Sequence, residues 1–284
     1  MRYRFMRFPG GKPKALTFSY DDGCKQDIKT AKTLFRYGMK GTFNLNGYGF
    51  RGDNMLTEEE VNEHILANGH ELATHGYAHI ASGMVDTVIG IKDVLDCRLE
   101  LERRFGRIIR GMAYPDTGVR FFANGIDLDK VKSYLSELGI AYARTLRGDN
   151  NSFALPSDWY HWMPTAHHDT NELLDWADEF ISLDLSPMVY HPIRYPRLFY
   201  IWGHSYEFDN NDNWDRLEQI CEKFATADDI WFATNIEIYD YVKAYDSLIF
   251  SADGAMVHNP TAVKVWFDVD GRLYCIEPGA TISI

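Results

Sequence analysis

Short apolar runs and amphipathic helical segments alternate along the chain from residue 14 to about residue 246. The run KALTFSY at 14–20 has the composition of a strand and stops at Asp-Asp-Gly, whereas DIKTAKTLFRYG at 27–38 places apolar residues at helical spacing before a glycine. Repeated strand–helix units predict right-handed crossovers and a parallel sheet. About seven such units in one domain predict an α/β fold with a closed or nearly closed (β/α) barrel, and a doubly wound open sheet is the competing arrangement.

The pattern changes after residue 246. The segment AVKVWFDVDGRLYCIEP has two alternating runs on either side of an Asp-Gly pair, which is a strong signal for a β-hairpin. We therefore predict two parts, a barrel over residues 1–246 and a β-hairpin-containing C-terminal extension over 247–284.

Composition and charge limit the classes of partner. The chain has 284 residues and a formal net charge of −12, which argues against nucleic acid or an anionic membrane as the main partner. No apolar run is long enough for a leader peptide or a membrane span, so we expect a cytoplasmic location. The four cysteines lie far apart without a CxxC pair, which argues against a disulfide framework and a zinc–thiolate site. Oligomeric state is not predicted by any of these patterns.

Reactive side chains follow several predicted strands. The first strand ends in SYDDG with Asp21 and Asp22, the third in THGYAH with His75 and His79, and the sixth in WGHSYEF with His204. Each of these turns has an ordinary structural explanation when taken singly. In a parallel barrel, however, the loops after the strands face one common mouth, and their coincidence there favours a site.

These residue types suit metal-assisted hydrolysis. One carboxylate and two imidazoles form a three-ligand set that binds Zn²⁺ or a similar ion and leaves positions open for water and substrate. Adjacent aspartates at a strand end point in different directions, so one would hold the metal while the other faces its water as a base. A histidine on the opposite side would protonate a leaving amine. The set therefore predicts amide hydrolysis.

The motifs TFSYDDG, GHELATHGYAH, AYPDTG and YIWGHS, in this order, resemble the signature motifs of the polysaccharide deacetylase (NodB-homology, carbohydrate esterase 4) family over residues 14–245. The resemblance implies a distorted (β/α) barrel and the removal of N-acetyl groups from amino-sugar polymers with a divalent metal. Zn²⁺ is the expected ion, with Co²⁺ and Ni²⁺ as alternatives. By this resemblance the general base is Asp21, the metal ligands are Asp22, His75 and His79, and the general acid is His204.

The chain also departs from the family pattern. Ser19 and Tyr20 stand between the phenylalanine and the first aspartate of the first motif, and Ala113 stands where the third motif has an arginine. Arg110 either reaches the base from another direction or is a surface residue. The stretch PSDWY echoes the fourth motif, and His167 with His168 forms a second metal candidate. The weaker candidates for substrate or oxyanion contacts are Arg110, Tyr114, Pro115, Asp116 and Trp159.

We therefore expect a metal-dependent hydrolase that removes an acetyl group from an N-acetylated sugar or polysaccharide, by metal-bound water with an aspartate base and a histidine acid. Two alternatives stay open. One is an amidase for a small non-carbohydrate amide, for example a cyclic one, which the absent motif arginine favours. The other is a catalytically inactive barrel that binds carbohydrate.

Overall fold

A curled parallel sheet forms the centre of the protein, whose computed structural model describes residues 3–146, 152–186 and 194–284. In chain order the strands are β1 (Arg4–Arg7), β2 (Lys14–Asp21), β3 (Gly41–Leu45), β4 (Glu71–Thr74), β5 (Gly111–Ala113), β6 (Tyr142–Arg144), β7 (Ala166–His167), β8 (Arg197–Gly203), β9 (Ile230–Phe232), β10 (Ile249–Phe250), β11 (Met256–His258), β12 (Val265–Val269), β13 (Arg272–Ile276) and β14 (Thr281–Ser283).

The central sheet has the strand order β6-β5-β4-β3-β2-β8-β7, and β9 pairs with the first half of β2. All of these pairings are parallel. The two edges are linked through the segment 162–165, because Trp162 bridges Arg144 on β6 and Thr165 donates its N–H to Tyr200 on β8. The sheet therefore curls into a distorted (β/α) barrel, which confirms the predicted fold class over the open sheet.

Helices cover the outside of this sheet. They are α1 (Asp27–Arg36), α2 (Glu58–Glu60, continued by a π turn at Val61–Leu66), α3 (Thr87–Phe105), α4 (Leu128–Glu137), α5 (Leu173–Ser182), α6 (Tyr206–Asn210), α7 (Trp214–Ala225) and α8 (Asn235–Asp246). A capping box begins α2, where the side chains of Thr57 and Glu60 each accept a hydrogen bond from the other's backbone N–H. None of the helices in the described part of the chain is long and apolar enough to cross a bilayer.

Strand β2 lies at the middle of the sheet, and all eight of its residues are buried. Its apolar side chains, among them Phe18, pack with Phe43 of β3 and Phe199 of β8 in one continuous core. A strand covered on both faces reads as a continuous apolar run, as KALTFSY does. Its last residue is Asp21, so the polar end of the run marks the mouth of the barrel.

The predicted hairpin is present as β12 and β13, which pair antiparallel around Asp270 and Gly271. Both turn residues have positive φ, 49° and 89°, as a two-residue turn of this type requires. Strand β1 pairs with β12, so the N-terminus completes this small sheet. Strands β10, β11 and β14 form a second antiparallel sheet. The division of the chain at residue 246 stays a prediction.

Candidate active site

Three side chains meet at the mouth of the barrel with the geometry of a metal-ligand set. Asp22 Oδ1 lies 3.7 Å from His75 Nε2 and 3.6 Å from His79 Nε2. All three ligand atoms lie within 4.8 Å of one another. Two ligands of a tetrahedral zinc ion at about 2.1 Å stand roughly 3.4 Å apart, so this spacing needs only a small contraction around a cation.

The backbone at two of these ligands is constrained. Asp22 and His79 both have positive φ, 78° and 55°, a conformation that non-glycine residues adopt rarely and that clusters at functional sites. Asp93 on α3 fixes the loop that carries His79, because its carboxylate accepts the Ala78 N–H at 2.7 Å. A side chain at Gly76, whose φ is 73°, would meet this carboxylate at 2.4 Å. A glycine is therefore required beside the histidine pair.

The orientation of His75 favours metal ligation. Its Nδ1 lies 2.9 Å from the Ala113 carbonyl oxygen, so Nδ1 carries the proton and Nε2 presents a lone pair toward Asp22. Burial lowers the pKa of His75 and keeps the imidazole neutral, the form that binds a metal. Asn46 donates to Asp22 Oδ1 at 3.2 Å and holds that carboxylate in place.

Asp21 lies next to this group but has different partners. Its carboxylate is 1% exposed, forms an ion pair with Arg144 through Oδ2, and accepts the Asn44 side-chain N–H through Oδ1 at 2.8 Å. Burial works against the charge of Asp21, yet the Arg144 guanidinium, with His75 and His204, holds its pKa below the ordinary value. The carboxylate is therefore ionised at neutral pH, with Oδ2 3.8 Å from His75 Nε2.

Arg144 is the residue at this site that the sequence reasoning missed. It is fully buried on β6, and its Cα is the register partner of Ala113, where the family motif has its arginine. Its guanidinium lies 4.6 Å from the centre of the Trp202 ring. The one available signal was a charged residue inside the apolar run IAYARTL, which requires a buried partner when the run is a central strand.

His204 lies beside Asp22, next to the three side chains of the metal-ligand set. Its Nε2 lies 3.9 Å from Asp22 Oδ2, and its Nδ1 lies 3.2 Å from Glu207 Oε1. Burial works against the charged imidazole, but Glu207 together with the two aspartates raises the pKa of His204 above its ordinary value. Glu207 is a second functional candidate that the sequence reasoning missed, although it stands only three residues after the histidine.

Existing hydrogen bonds limit which backbone N–H groups of residues 114–116 could bind a substrate oxyanion. Tyr114 already donates its N–H to the Arg144 carbonyl and its hydroxyl to the Tyr160 carbonyl at 2.9 Å, and Pro115 has no N–H. Asp116 has a positive φ of 49°, and its N–H makes no backbone hydrogen bond with a described residue. Among residues 114–116, the Asp116 N–H is therefore the one without a hydrogen bond to a described residue, and it is the candidate donor to a substrate.

Two of the weaker candidates lie away from the mouth. Arg110 precedes β5, at the end of the sheet opposite the aspartates, and pairs with Asp240 at 2.5 Å. Of the two alternatives for Arg110, this geometry supports the surface position over contact with the base. Trp159 packs edge-on against Trp162 and Tyr239, with ring centres 4.9 Å and 5.0 Å apart, and does not line the site.

His167 and His168 form a cluster with Asp169 whose ligand atoms lie within 4.8 Å of one another. His167 is already engaged at both ring nitrogens. Its Nδ1 accepts the Asp169 N–H at 3.2 Å, which places the proton on Nε2, 3.0 Å from Glu207 Oε2. This tautomer has no lone pair free for a cation. In this tautomer His167 supports Glu207 and is not poised as a metal ligand.

Comparison with known proteins identifies the fold and agrees with the family resemblance of the sequence motifs. The family model described as "Polysaccharide deacetylase" matches residues 8–142. A solved structure assigned to the polysaccharide deacetylases, from Mycobacterium smegmatis, is similar with a TM-score of 0.56 at 18% identity, covering 84% of this chain and 93% of that chain. No curated protein sequence matches the chain.

Two further solved structures have the same fold. A variant of the peptidoglycan deacetylase PdaC from Bacillus subtilis is similar with a TM-score of 0.52 at 16% identity, covering 84% of this chain and 96% of that chain. A family 4 acetyl xylan esterase from Clostridium thermocellum, in complex with a cobalt ion, has a TM-score of 0.50 at 13% identity, covering 80% of this chain and 90% of that chain. These folds and the family model over residues 8–142 agree with the sequence resemblance to the polysaccharide deacetylase family.

Proposed function

We propose that this chain, whose residues 8–142 match the family model of the polysaccharide deacetylases, is a hydrolase that removes an acetyl group from an N-acetylated sugar or polysaccharide with the help of a divalent cation. One observation carries the proposal: Asp22, His75 and His79 converge on one point, and Asp21 and His204 flank that point. Fold and family alone would not distinguish an active enzyme from an inactive relative.

The three converging side chains fit a divalent cation. One carboxylate oxygen and two neutral imidazole nitrogens suit Zn²⁺ best and also accept Co²⁺ or Ni²⁺. When bound, such a cation would lower the pKa of water and polarise an acyl oxygen. Asn46 on Asp22 and the Ala113 carbonyl on His75 are the outer contacts that would keep these ligands oriented.

The proton transfers fall to the two flanking groups. Asp21 is ionised and buried, so its carboxylate accepts the proton of the attacking water. His204, charged through its contact with Glu207, donates a proton to the nitrogen of the departing amine. Since Glu207 binds Nδ1, the proton on Nε2 is the one that faces the site.

The developing negative charge on the acyl oxygen needs a donor in addition to the cation. The Asp116 N–H is the available donor of its segment, and the loss of a single such donor costs about 3–4 kcal/mol of transition-state stabilisation in other hydrolases. The left-handed φ at Asp116 directs its backbone differently from the strand before it.

Metal content and acetate release test the proposal together. The purified protein is analysed for bound metals and assayed on N-acetylglucosamine oligomers and on small linear and cyclic amides. We expect about one divalent ion per chain, hydrolysis of the sugar substrates, and loss of activity with a chelator that added Zn²⁺ reverses. Asp21→Asn should lose hydrolysis and keep the metal, whereas His79→Ala should lose both.

His64→Ala provides the matched control. His64 is partly buried on the π turn that continues α2, and Glu63 is its one ion-pair partner among the described residues. Loss of metal in Asp21→Asn would reverse the roles of the two aspartates. Hydrolysis of the small amides alone would replace the deacetylase by an amidase. A protein that binds sugar without metal or turnover would contradict the enzymatic proposal.

A further inference from the structure

A cavity of about 580 Å³ opens beside Asp22 and His79, and its far wall is the segment after β3. This wall is tied to the loop that carries the aspartates. Lys25 donates its N–H to the Asn54 carbonyl and Leu56 donates to the Gly23 carbonyl, each at 2.9 Å. The metal-ligand loop and the cavity wall therefore form one connected unit, so the wall is preorganised for whatever occupies the cavity.

The lining of this cavity has few negative charges, although the chain as a whole is acidic. Within the described residues its one carboxylate is Asp22, and this charge belongs to the proposed cation site. Tyr48, Tyr206 and Asn54 add aromatic and neutral polar surface, as sugar-binding pockets commonly have. Apart from Asp22, no described residue of the lining carries a negative charge that would offset a positive one.

Arg51 supplies that positive charge. It is exposed at the end of a short 3₁₀ turn, lines the cavity, and forms neither an ion pair nor a side-chain hydrogen bond with any described residue. Most other arginines near this face are paired, for instance Arg104 with Glu100 and Arg144 with Asp21. The chain as a whole is acidic, with a net charge of −12. Arg51 therefore makes this cavity locally more positive than the rest of the protein.

We propose that Arg51 binds an anionic substituent of the substrate, so that the preferred substrate is an acidic N-acetylated amino sugar and not a neutral one. This inference rests on the proposed deacetylase function. A guanidinium binds a carboxylate or a phosphate with two parallel hydrogen bonds, and both groups have the shared chemistry that the pocket recognises. A cation held by Asp22, His75 and His79 would add to the same positive field.

Three matched oligosaccharides test the proposal: an N-acetylglucosamine oligomer, the same oligomer with a carboxylate substituent, and the same oligomer with a phosphate substituent. Rates are measured for the unaltered protein, for Arg51→Gln and for Arg107→Gln. Arg107 is the control because it too lines a surface pocket without an ion pair to a described residue, but at the opposite end of the sheet.

We expect kcat/KM to be about ten-fold higher for an anionic oligomer than for the neutral one, carried mainly by KM. Arg51→Gln should abolish this preference, because kcat/KM falls far more on the anionic oligomers than on the neutral one, and Arg107→Gln should leave it intact. High salt should weaken the preference, since an exposed charge is screened. The two anionic arms identify whether a carboxylate or a phosphate is preferred.

Equal kcat/KM for neutral and anionic oligomers, or an equal loss on all three in Arg51→Gln, overturns the proposal. Titration calorimetry with the same oligomers gives a readout that does not depend on turnover. If no oligomer is hydrolysed, the deacetylase function fails, while an Arg51-dependent affinity for the anionic oligomers still supports this binding site. Equal affinities in that case overturn the binding site as well.

Discussion

Replacement of Arg144 by methionine tests how the barrel keeps its catalytic carboxylate charged. The guanidinium and the Asp21 carboxylate are 0% and 1% exposed, so solvent does not screen the pair. Methionine retains most of the packing volume against Trp202 but removes the charge. The Asp21 carboxylate is then left buried, with Asn44 as its remaining side-chain donor.

The magnitude follows from this geometry. Two unit charges about 4 Å apart attract by about 4 kcal/mol at an effective dielectric constant of about 20, and removal of one partner of a buried pair costs about 3–5 kcal/mol in measured cases. We therefore expect Arg144→Met to lower the free energy of unfolding by about 4 kcal/mol. This is a large part of the roughly 5–15 kcal/mol that stabilises a typical domain, but it leaves the protein folded.

Chemical denaturation and pH–rate profiles measure the two consequences. The denaturation midpoint should fall with an unchanged slope. Since Arg144 is the main cause that lowers the pKa of Asp21, the acid limb of kcat/KM should move to higher pH, and the rate at neutral pH should fall on the order of a hundred-fold or more. Arg144→Met combined with Asp21→Asn should regain most of the lost stability, because neither charge is then left alone.

A transplanted arginine distinguishes positioning from general stability. Ala113 and Arg144 are register partners on adjacent strands, so their side chains lie on the same face of the sheet. Ala113→Arg combined with Arg144→Ala should restore part of the activity that Arg144→Ala loses. An Arg144→Met variant with unchanged stability and an unmoved acid limb would refute the reasoning.

Two further predictions concern the carboxyl groups of Glu71 and Glu207. Burial raises the pKa of Glu71 to about 7 from an ordinary value of 4.5. Between these pH values the folded protein keeps the Glu71 proton and the unfolded chain loses it. The free energy of unfolding therefore falls as pH rises from 4.5 to about 7, by about 3 kcal/mol in total. Glu71→Gln should remove that slope, and denaturation at pH 4.5 and pH 8 should show it; a stability difference from the unaltered protein that is the same at both pH values would contradict this assignment. Glu207→Gln should lower the pKa of His204 and move the basic limb of the pH–rate profile to lower pH with the metal content unchanged, whereas an unmoved basic limb would exclude Glu207 as the partner that keeps His204 protonated.

The local pattern of the sequence was sufficient to locate most of the barrel strands and to single out the five central site residues. Asp21, Asp22, His75 and His204 stand at or just beyond the ends of buried strands, and His79 follows in the same loop as His75. Strand ends can be read from short apolar runs, and parallel topology then brings these ends to one mouth. Their assignment as ligands, base and acid stays a prediction that the geometry supports.

The contacts that the sequence reasoning missed or left open depend on the register of the strands and on the end of the sheet at which a side chain lies. Arg144 meets Asp21 across 123 positions of chain, and no local pattern links them. The position of Arg110 was left open, and Trp159 was only a weak candidate, because proximity in sequence to a motif does not tell which end of a strand a side chain occupies. The pairing of β1 with β12 likewise joins the two ends of the chain.

The sequence by itself determined which segments form strands and helices and which reactive residue types leave the strand ends, because both depend on periodicity over a few residues. Only the tertiary structure decided which charge neutralises which. The curl of the sheet places Arg144 across the barrel from Asp21, and Coulomb attraction in a dry interior then fixes that partner, which no local periodicity records.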